Sequence, residues 1–357
     1  MPKDARLGNF VEEHLKAIHP FQEVVVISAF EHHKNEVHYK EYPYFQIQIL
    51  YRKKWPMISH YRALKKAYRL LEAKGYQFNL VHLHVTWPSG IVFLGFLKSL
   101  PFIITEHYSG YQKKRRHEWS RLAQYLALKI LNRAKVVCPV SEQLGKSLQE
   151  FGLESDLKTI GNVVDPTLFH YRPKATNSGP FKLLHISSLQ EETKNIMGIL
   201  NAYEQLLKQD SNFILKIGGD GDLGALRLAI SERNIPATKI EILEAMNRRE
   251  VADQIGDSDA FLLFSFIENQ PVVILEALSI GRPVISSDVG GIKEILSDAN
   301  GILVPSRDEA ALVKAILKMK GNYNDYNLSA IAEQAADEHS NEAIAVKFLE
   351  VYTSVPL

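Results

Sequence analysis

The sequence predicts an α/β protein of two doubly wound, Rossmann-like domains that face a cleft. Three observations carry this expectation. Apolar, strand-like runs alternate with amphipathic helical segments nearly from end to end, the pattern of parallel sheets covered by helices. The alternation lapses once, over Pro166–Pro180, where proline, glycine, serine and asparagine crowd together as in a linker. A length of 357 residues, 46% hydrophobic and 23% charged, suits two cores better than one. The expected boundaries are 1–165, a linker over 166–180, 181–335, and a terminal stretch 336–357 whose helix crosses back to the first domain.

The elements follow in order. NFVEEHLKAI reads as helix, EVVVISAF and YFQIQILY as strands, and YRALKKAYRLLEAKG as a helix ended by Gly75. LVHLHV is strand, GIVFLGFLKSL helix and PFIITEH strand, followed by one long basic helix over Lys113–Arg133. KVVCPVS is strand, and the next helix has Ser141 as N-cap and Gly152 at its end. After the linker come strand KLLHISS, helix 196–207, strand FILKIGG, helix 224–233, strand KIEIL and helix RREVADQIG. Strand AFLLFS, helix VVILEALSIG, strand PVISSD and helix GIKEILS follow, and a helix over 341–352 closes the chain.

The composition bounds function. The net charge of +1 hides an asymmetry: residues 1–170 hold 24 Lys and Arg against 15 Asp and Glu, and residues 171–357 hold 18 against 26. Within 51–135 there are 17 basic residues against three acids, Glu72, Glu106 and Glu118. A solvated face or an anionic partner fits this excess. The single cysteine, Cys138, sits in an apolar run and suits a reducing cytosol. The longest apolar stretch, Ile91–Ile104, is broken by Lys98 and Pro101 and is too short to span a bilayer. Nothing resembles the aromatic-studded surface of a single-strand nucleic-acid binder.

Candidate chemistry concentrates in FSFIENQPVVILEALSIGRPVISSDVGG, residues 264–291. AFLLFS ends a strand, so Glu268 falls in the loop beyond it. Pro271 can open the next helix, which carries Glu276 in an apolar run. An uncompensated buried carboxylate is costly, so something must meet it. Paired sugar or ribose hydroxyls suit such a group, which accepts up to about four hydrogen bonds. For Glu276, an ion pair with Arg282 or Lys293 is the structural alternative; for Glu268, a solvated loop position. Gly290 and Gly291 lie between strand and helix, where a backbone can approach a phosphate. Gly219, Gly221 and Gly224 form a dinucleotide-type fingerprint, with Glu241 or Glu244 about twenty residues on, so a dehydrogenase is a rival reading. His82 and His84 share one strand face, and with His107 they could bind the metal of a hydrolase, although acidic partners are missing nearby. More simply, His82 is packed and His84 lies near the cleft.

The two glutamates with EALSIGRPVISSDVGGIKEIL and NGILVP resemble the donor-site signature of glycosyltransferase family 4, retaining enzymes of GT-B architecture. KLLHISSLQEETKNIMGILNAYEQL and LKIGGDGD resemble the first units of that donor domain, and VSEQLGKSLQEFG with IGNVVDPTLF the interdomain crossing. NLVHLHVTWPSG and PFIITEHYSGY resemble the acceptor domain, bringing in His84 and Tyr108. The resemblance implies that Glu268 binds the donor sugar and Glu276 the ribose. Lys194 would neutralise the diphosphate beside the Gly290–Gly291 backbone. Gly219 and Gly221, with Ala245 and Met246, would border the base, and His107 would reach the sugar-phosphate region. No Asp-x-Asp at a strand end is read as holding a divalent ion on the diphosphate, so no metal or cofactor is expected. The implied reaction is front-face transfer from a UDP- or GDP-sugar to a glycan or lipid-linked acceptor, in bacterial surface-glycan assembly such as lipopolysaccharide or capsule. A nucleotide-sugar epimerase and a non-catalytic sugar-nucleotide binder share the architecture.

Four departures qualify the resemblance. Ser188 stands where an arginine usually pairs with the lysine. Asn269-Gln270-Pro271 replaces Gly-Phe-Gly, and Val163 replaces a glycine of the crossing. The first strand is absent: MPKDARLGNF looks like the end of the glycine-bearing loop, with Gly8 on the acceptor side, followed by the helix. The expected location is cytoplasmic and peripheral on the inner membrane face. There the basic helix over Lys113–Arg133, with Trp119, Leu122, Tyr125, Leu126 and Ile130 on one side, would meet anionic lipid.

Overall fold

The computed structural model describes residues 9–41, 43–52, 56–174 and 179–356. Gly8 lies outside them. The chain forms two compact units, Met1–Val163 with Ile344–Leu357, and Val164–Ala343.

In the first unit α1 (Asn9–Ile18) is followed by β1 (Val25–Glu31), β2 (Glu36–Lys40), β3 (Phe45–Tyr51), α2 (Pro56–Ala73), β4 (Val81–His84), β5 (Phe102–Glu106), α3 (Arg121–Leu131), β6 (Val136–Pro139), α4 (Glu142–Phe151) and β7 (Asp156–Leu157). Two sheets result, ordered β1-β3-β2 and β4-β5-β6-β7. Strand β2 runs antiparallel to β3 and was not expected. Its sequence EVHYK is largely polar, and it forms the sheet edge, where no buried face is needed to specify it. The expected helix GIVFLGFLKSL is a short 3-10 segment, Ser89–Leu94, followed by turns.

The long basic helix is also corrected. Arg116–Glu118 is a single 3-10 turn and Trp119 is extended (φ −107°, ψ 140°). Helix α3 starts only after the N-cap Ser120, whose side chain accepts from Ala123 N at 3.2 Å. The basic run is tied down locally. Arg115 makes two 2.8 Å bonds to the Glu118 carboxylate. Arg116 donates to the carbonyls of Tyr111, Ser147 and Glu150. These fixed bonds hold Lys113–Trp119 out of the helical path. The proposed single apolar side also divides, with Ile130 fully buried while Leu122 and Tyr125 are 66% and 54% exposed.

The second unit contains β8 (Phe181–Ser187), α5 (Glu191–Lys194), α6 (Ile196–Gln209), β9 (Phe213–Gly219), α7 (Leu223–Glu232), β10 (Ile240–Leu243), α8 (Arg248–Asp257), β11 (Ala260–Leu263), α9 (Val272–Ser279), β12 (Val284–Ser287), β13 (Gly301–Val304), α10 (Glu309–Gly321) and α11 (Leu328–His339). All six strands are parallel, in the order β10-β9-β8-β11-β12-β13. Successive residues point to opposite faces: Leu183 and Leu262 enter a core with α6, α7 and α10, and Leu184 and Leu263 a core with α8, α9 and α11. Helices α10 and α11 were not expected, and GIKEILS forms only the 3-10 turn Ile292–Glu294.

Helix α12 (Asn341–Ser354) closes the chain. Its Ile344, Ala345, Phe348 and Val351 pack with Ala17, Ile18, Ile103, Cys138 and Val163. Val163, found where the resemblance expects glycine, is thus a core residue. Among the described residues no helix is long and apolar enough to cross a membrane.

Candidate functional site

In the second unit the chain leaves β8 toward β9 and β10 on one side, and β11 to β13 are laid down on the other. The switch point is therefore between β8 and β11, where the loops beyond the strand ends diverge and leave room for a ligand. Lys194, on α5 after β8, meets Glu268, in the loop after β11, at 2.6 Å. Glu268 also accepts from Ser265 Oγ at 2.8 Å, and Phe266 N–H donates to Thr193 O at 2.8 Å, tying the two loops together. Glu268 is buried rather than a solvated loop residue. Below the pair, His185 is fully buried, with ring nitrogens 2.9 Å from Leu262 O and 2.8 Å from Ser187 Oγ. Burial, with Lys194 adding repulsion, pulls its pKa down to about 4. It is neutral near pH 7 and leaves Lys194 as the local cation. Sequence reasoning missed it because a histidine inside a strand reads as packing.

Glu276 is buried on α9. The expected partner Arg282 is engaged elsewhere. Arg282 is fully buried and donates to the carbonyls of Arg172, Ile280 and Gly256. The cation facing Glu276 is Arg248, at 3.4 Å, which also lies 3.9 Å from Asp165 and 5.2 Å over the Phe169 ring. A legible signal existed: Asn247 and Glu250 form a capping box in NRRE, which fixes Arg248 as the first residue of α8. A second cation thus stands by the ribose-type carboxylate.

The remaining residues border the same strand ends. Ser188 follows β8, Gly219 ends β9 and Gly221 follows it, Ala245 and Met246 follow β10, Asn269 and Gln270 follow Glu268, and Gly290 and Gly291 follow β12. The glycines are required first by the protein itself. A Cβ at Gly219 or Gly221 would overlap the carbonyl oxygens of Ser187 or Ser188. Gly290 has φ +59°, and its Cβ would overlap Glu268 O, while Gly291 N–H donates to Asn269 O at 2.8 Å. The dinucleotide-type spacing is therefore explained by a loop folded closely against β8, and the β12 loop is packed onto the loop of Glu268.

In the first unit His107 follows β5 and is held by Glu106. That fully buried carboxylate accepts from His107 N–H and Tyr108 N–H at 2.9 Å, and from Thr86 N–H at 2.9 Å and Thr86 Oγ at 2.7 Å. Burial raises its pKa against these four bonds. Tyr108 stacks on Trp119 with centroids 5.5 Å apart, under the Arg115 guanidinium. His84 Nδ1 lies 3.5 Å from His107 Nε2. His82 is packed, its nitrogens 2.7 Å from Tyr352 Oη and 2.6 Å from Thr105 Oγ1. The metal-type grouping is consequently not the expected one. His14 of α1 takes the place of His82, and the donor atoms of His14, His84 and His107 lie within 4.8 Å of one another. Burial lowers all four pKa values, to about 4 for His14, about 3 for His82, and well below the usual range for His84 and His107.

Known proteins share this organisation. The family described as Glycosyltransferase Family 4 matches residues 9–168, and that described as Glycosyl transferases group 1 matches residues 180–322. The amylovoran biosynthesis glycosyltransferase AmsK of Erwinia amylovora is 26% identical over 225 residues, 60% of this chain and 55% of that protein. The alpha-monoglucosyldiacylglycerol synthase of Streptococcus pneumoniae is 23% identical over 323 residues, 82% of this chain and 71% of that protein. The chain spans about half the length of the first curated relatives it matches. Among solved structures, sucrose-phosphate synthase from Thermosynechococcus elongatus superposes with a TM-score of 0.77 at 19% identity, covering 96% of this chain and 90% of that one. Anabaena HepE in complex with UDP-glucose gives a TM-score of 0.69 at 17% identity, covering 86% of each. With its parallel-sheet units, switch-point carboxylate and both halves matched, the chain belongs to glycosyltransferase family 4, with the GT-B fold.

Proposed function

We propose that this chain is a retaining hexosyltransferase that moves a sugar from a UDP- or GDP-sugar to a glycan or lipid-linked acceptor in bacterial surface-polysaccharide assembly. The observation that carries the reading is the Lys194–Glu268 pair at the switch point, 2.6 Å apart. A diphosphate arriving there competes with Glu268 for the ammonium. Glu268, released in part, then accepts the hydroxyls of the donor sugar. Glu276 takes the ribose diol, and Arg248 at 3.4 Å offsets the charge of that carboxylate. Lys194, with the Gly290–Gly291 backbone beside it, stabilises the leaving diphosphate. The bond from the anomeric carbon to the phosphate oxygen breaks as the acceptor oxygen bonds to the same face. The departing phosphate takes the acceptor proton, and no metal is required in that step. His107, held by Glu106, is the residue of the first unit we assign to the transfer, with His84 and Tyr108 on the acceptor side.

The names of relatives support the setting: one serves amylovoran biosynthesis, and a solved neighbour is in complex with UDP-glucose. We place the protein in the cytoplasm, peripheral to the membrane, through exposed Leu122 and Tyr125 beside the cations of α3. The test is calorimetric titration of the chain with UDP, GDP and their sugars, with Glu276→Ala alongside. Tight binding of one nucleotide, weakened at least about ten-fold in the variant, is expected for a lost pair of charge-assisted bonds. Binding unchanged in Glu276→Ala overturns the ribose assignment. No binding of any nucleotide overturns the donor reading.

A further inference from the structure

We propose that His14, His84 and His107 form a binding site for a zinc-type divalent metal, and that the metal withdraws His107 from the transfer. The second half rests on the role proposed for His107; the first half does not.

Distances carry the first half. At 3.5 Å, His84 Nδ1 and His107 Nε2 are too far apart for a good hydrogen bond. Two imidazole nitrogens about 2.0–2.1 Å from one tetrahedral zinc stand about 3.4 Å apart, which matches. The third donor, on His14, already lies within 4.8 Å of the other two. The second observation is an orphan. His14 is fully buried, yet its Nδ1 has no hydrogen-bond partner among the described residues, while Nε2 lies 3.1 Å from Gly161 O. A ring bonded to a carbonyl through one nitrogen presents the other as a lone pair, the arrangement that orients metal-binding histidines.

The surroundings agree. His82 stacks on His84 at 4.4 Å and is held at both nitrogens, so it backs the site without joining it. Phe10 covers His107 at 4.1 Å. Burial keeps all three candidate ligands neutral near pH 7, as metal binding requires. Three histidines leave a fourth position for water or a substrate oxygen.

The experiment uses the full chain, stripped with chelator and then titrated with Co(II), read by visible absorption and by metal analysis after gel filtration. One equivalent, with the strong visible bands of a tetrahedral cobalt centre, is expected, and Zn(II) should erase the bands by displacement. His14→Gln and, independently, His84→Gln should lose the bands while keeping the far-ultraviolet circular dichroism of the parent; His82→Gln should keep them. No stable cobalt in the parent, or an equal amount in both ligand variants, overturns the site. Zn(II) should also slow transfer in the parent at least about ten-fold more than in His14→Gln. Cobalt binding without that difference overturns the withdrawal of His107 and leaves the metal site standing.

Discussion

The two units bury polar chemistry in opposite ways. In the second, Lys194 faces Glu268 and Arg248 faces Glu276, so charge is retained and compensated. In the first, four imidazoles are grouped without a carboxylate among them, and burial removes their charge instead. Both solutions avoid an isolated buried ion, which would cost several kcal/mol. They leave different chemistry behind. The second unit keeps cations that an anionic ligand can take over from their present partners. The first keeps lone pairs, which attract protons or metals.

The comparison is broken most severely at Lys194. Lys194→Ala should lower transfer by about 10²–10³-fold, the usual cost of losing one preorganised contact to developing charge. It should weaken nucleotide binding as well. Glu268→Gln should lose transfer to a similar degree yet bind free nucleoside diphosphate as well as the parent or better, because the competitor for Lys194 is gone. Equal losses of diphosphate affinity in both variants would refute the competition. Acid is the second lever, and it should act on the first unit. A histidine whose folded-state pKa lies below its ordinary 6.5 binds more protons when unfolded. Stability is then full above about 6.5 and falls as the pH drops toward about 4 for His14 and about 3 for His82. The slope is up to about 1.4 kcal/mol per pH unit for each such histidine. In chelator-treated protein, amide protection factors, taken relative to intrinsic exchange at each pH, should fall at β4 and β5 between pH 7 and 5 more than at β8 and β9, where His185 is the corresponding group. A uniform fall in protection would remove the distinction.

How much of this the sequence disclosed follows the same division. The second unit was legible because its sheet is parallel and two-sided: runs such as FILKIGG and AFLLFS are apolar but for Lys216 and Ser265, and strand-end loops announce themselves by glycine, proline or a lone carboxylate. What stayed hidden there are partners chosen by three-dimensional proximity, such as Arg248 for Glu276, 28 residues apart. The first unit was less legible. Its β2 is polar, its GIVFLGFLKSL run is a 3-10 turn, and its basic helix is interrupted by side-chain bonds to carbonyls that no periodicity encodes. His14 was invisible because NFVEEHLKAI reads equally well as an ordinary amphipathic helix. Only the fold brings it within 5.5 Å, ring to ring, of His84 and His107.

Gly290 tests whether the β12 loop is shaped by the protein before any ligand arrives. With φ +59° and Glu268 O in the path of a Cβ, Gly290→Ala should destabilise the protein by about 1–3 kcal/mol in denaturant unfolding. Gly224→Ala is the control, since its nearest neighbour is the Asp222 side chain at 3.1 Å, which need give by only a few tenths of an ångström while still capping Ala225 N–H. There the change should stay within about 1 kcal/mol, with helix propensity favouring alanine. A silent Gly290→Ala would mean that the loop is adaptable, and that the glycine serves only the ligand.

The smallest effect expected is at the membrane. Helix α3 has 11 residues rather than the length first expected, and its exposed apolar surface reduces to Leu122 and Tyr125, with Lys129 4.7 Å from the Tyr125 ring. Full burial of such a side chain contributes about 1.5–3 kcal/mol, and two partly inserted ones contribute less than their sum. Attachment then depends mainly on the basic excess of residues 51–135, each cation near an anionic surface adding about 1 kcal/mol at most and fading within a Debye length. Sedimentation with anionic vesicles should therefore be strong at low salt, disappear as salt rises, and decline only a few-fold in the Leu122→Ser, Tyr125→Ser double variant. Sedimentation that resists salt but vanishes in the double variant would mean that apolar insertion, not charge, holds the protein on the bilayer. Absence of sedimentation at low salt would remove the membrane from the account while leaving the switch-point chemistry of the second unit untouched.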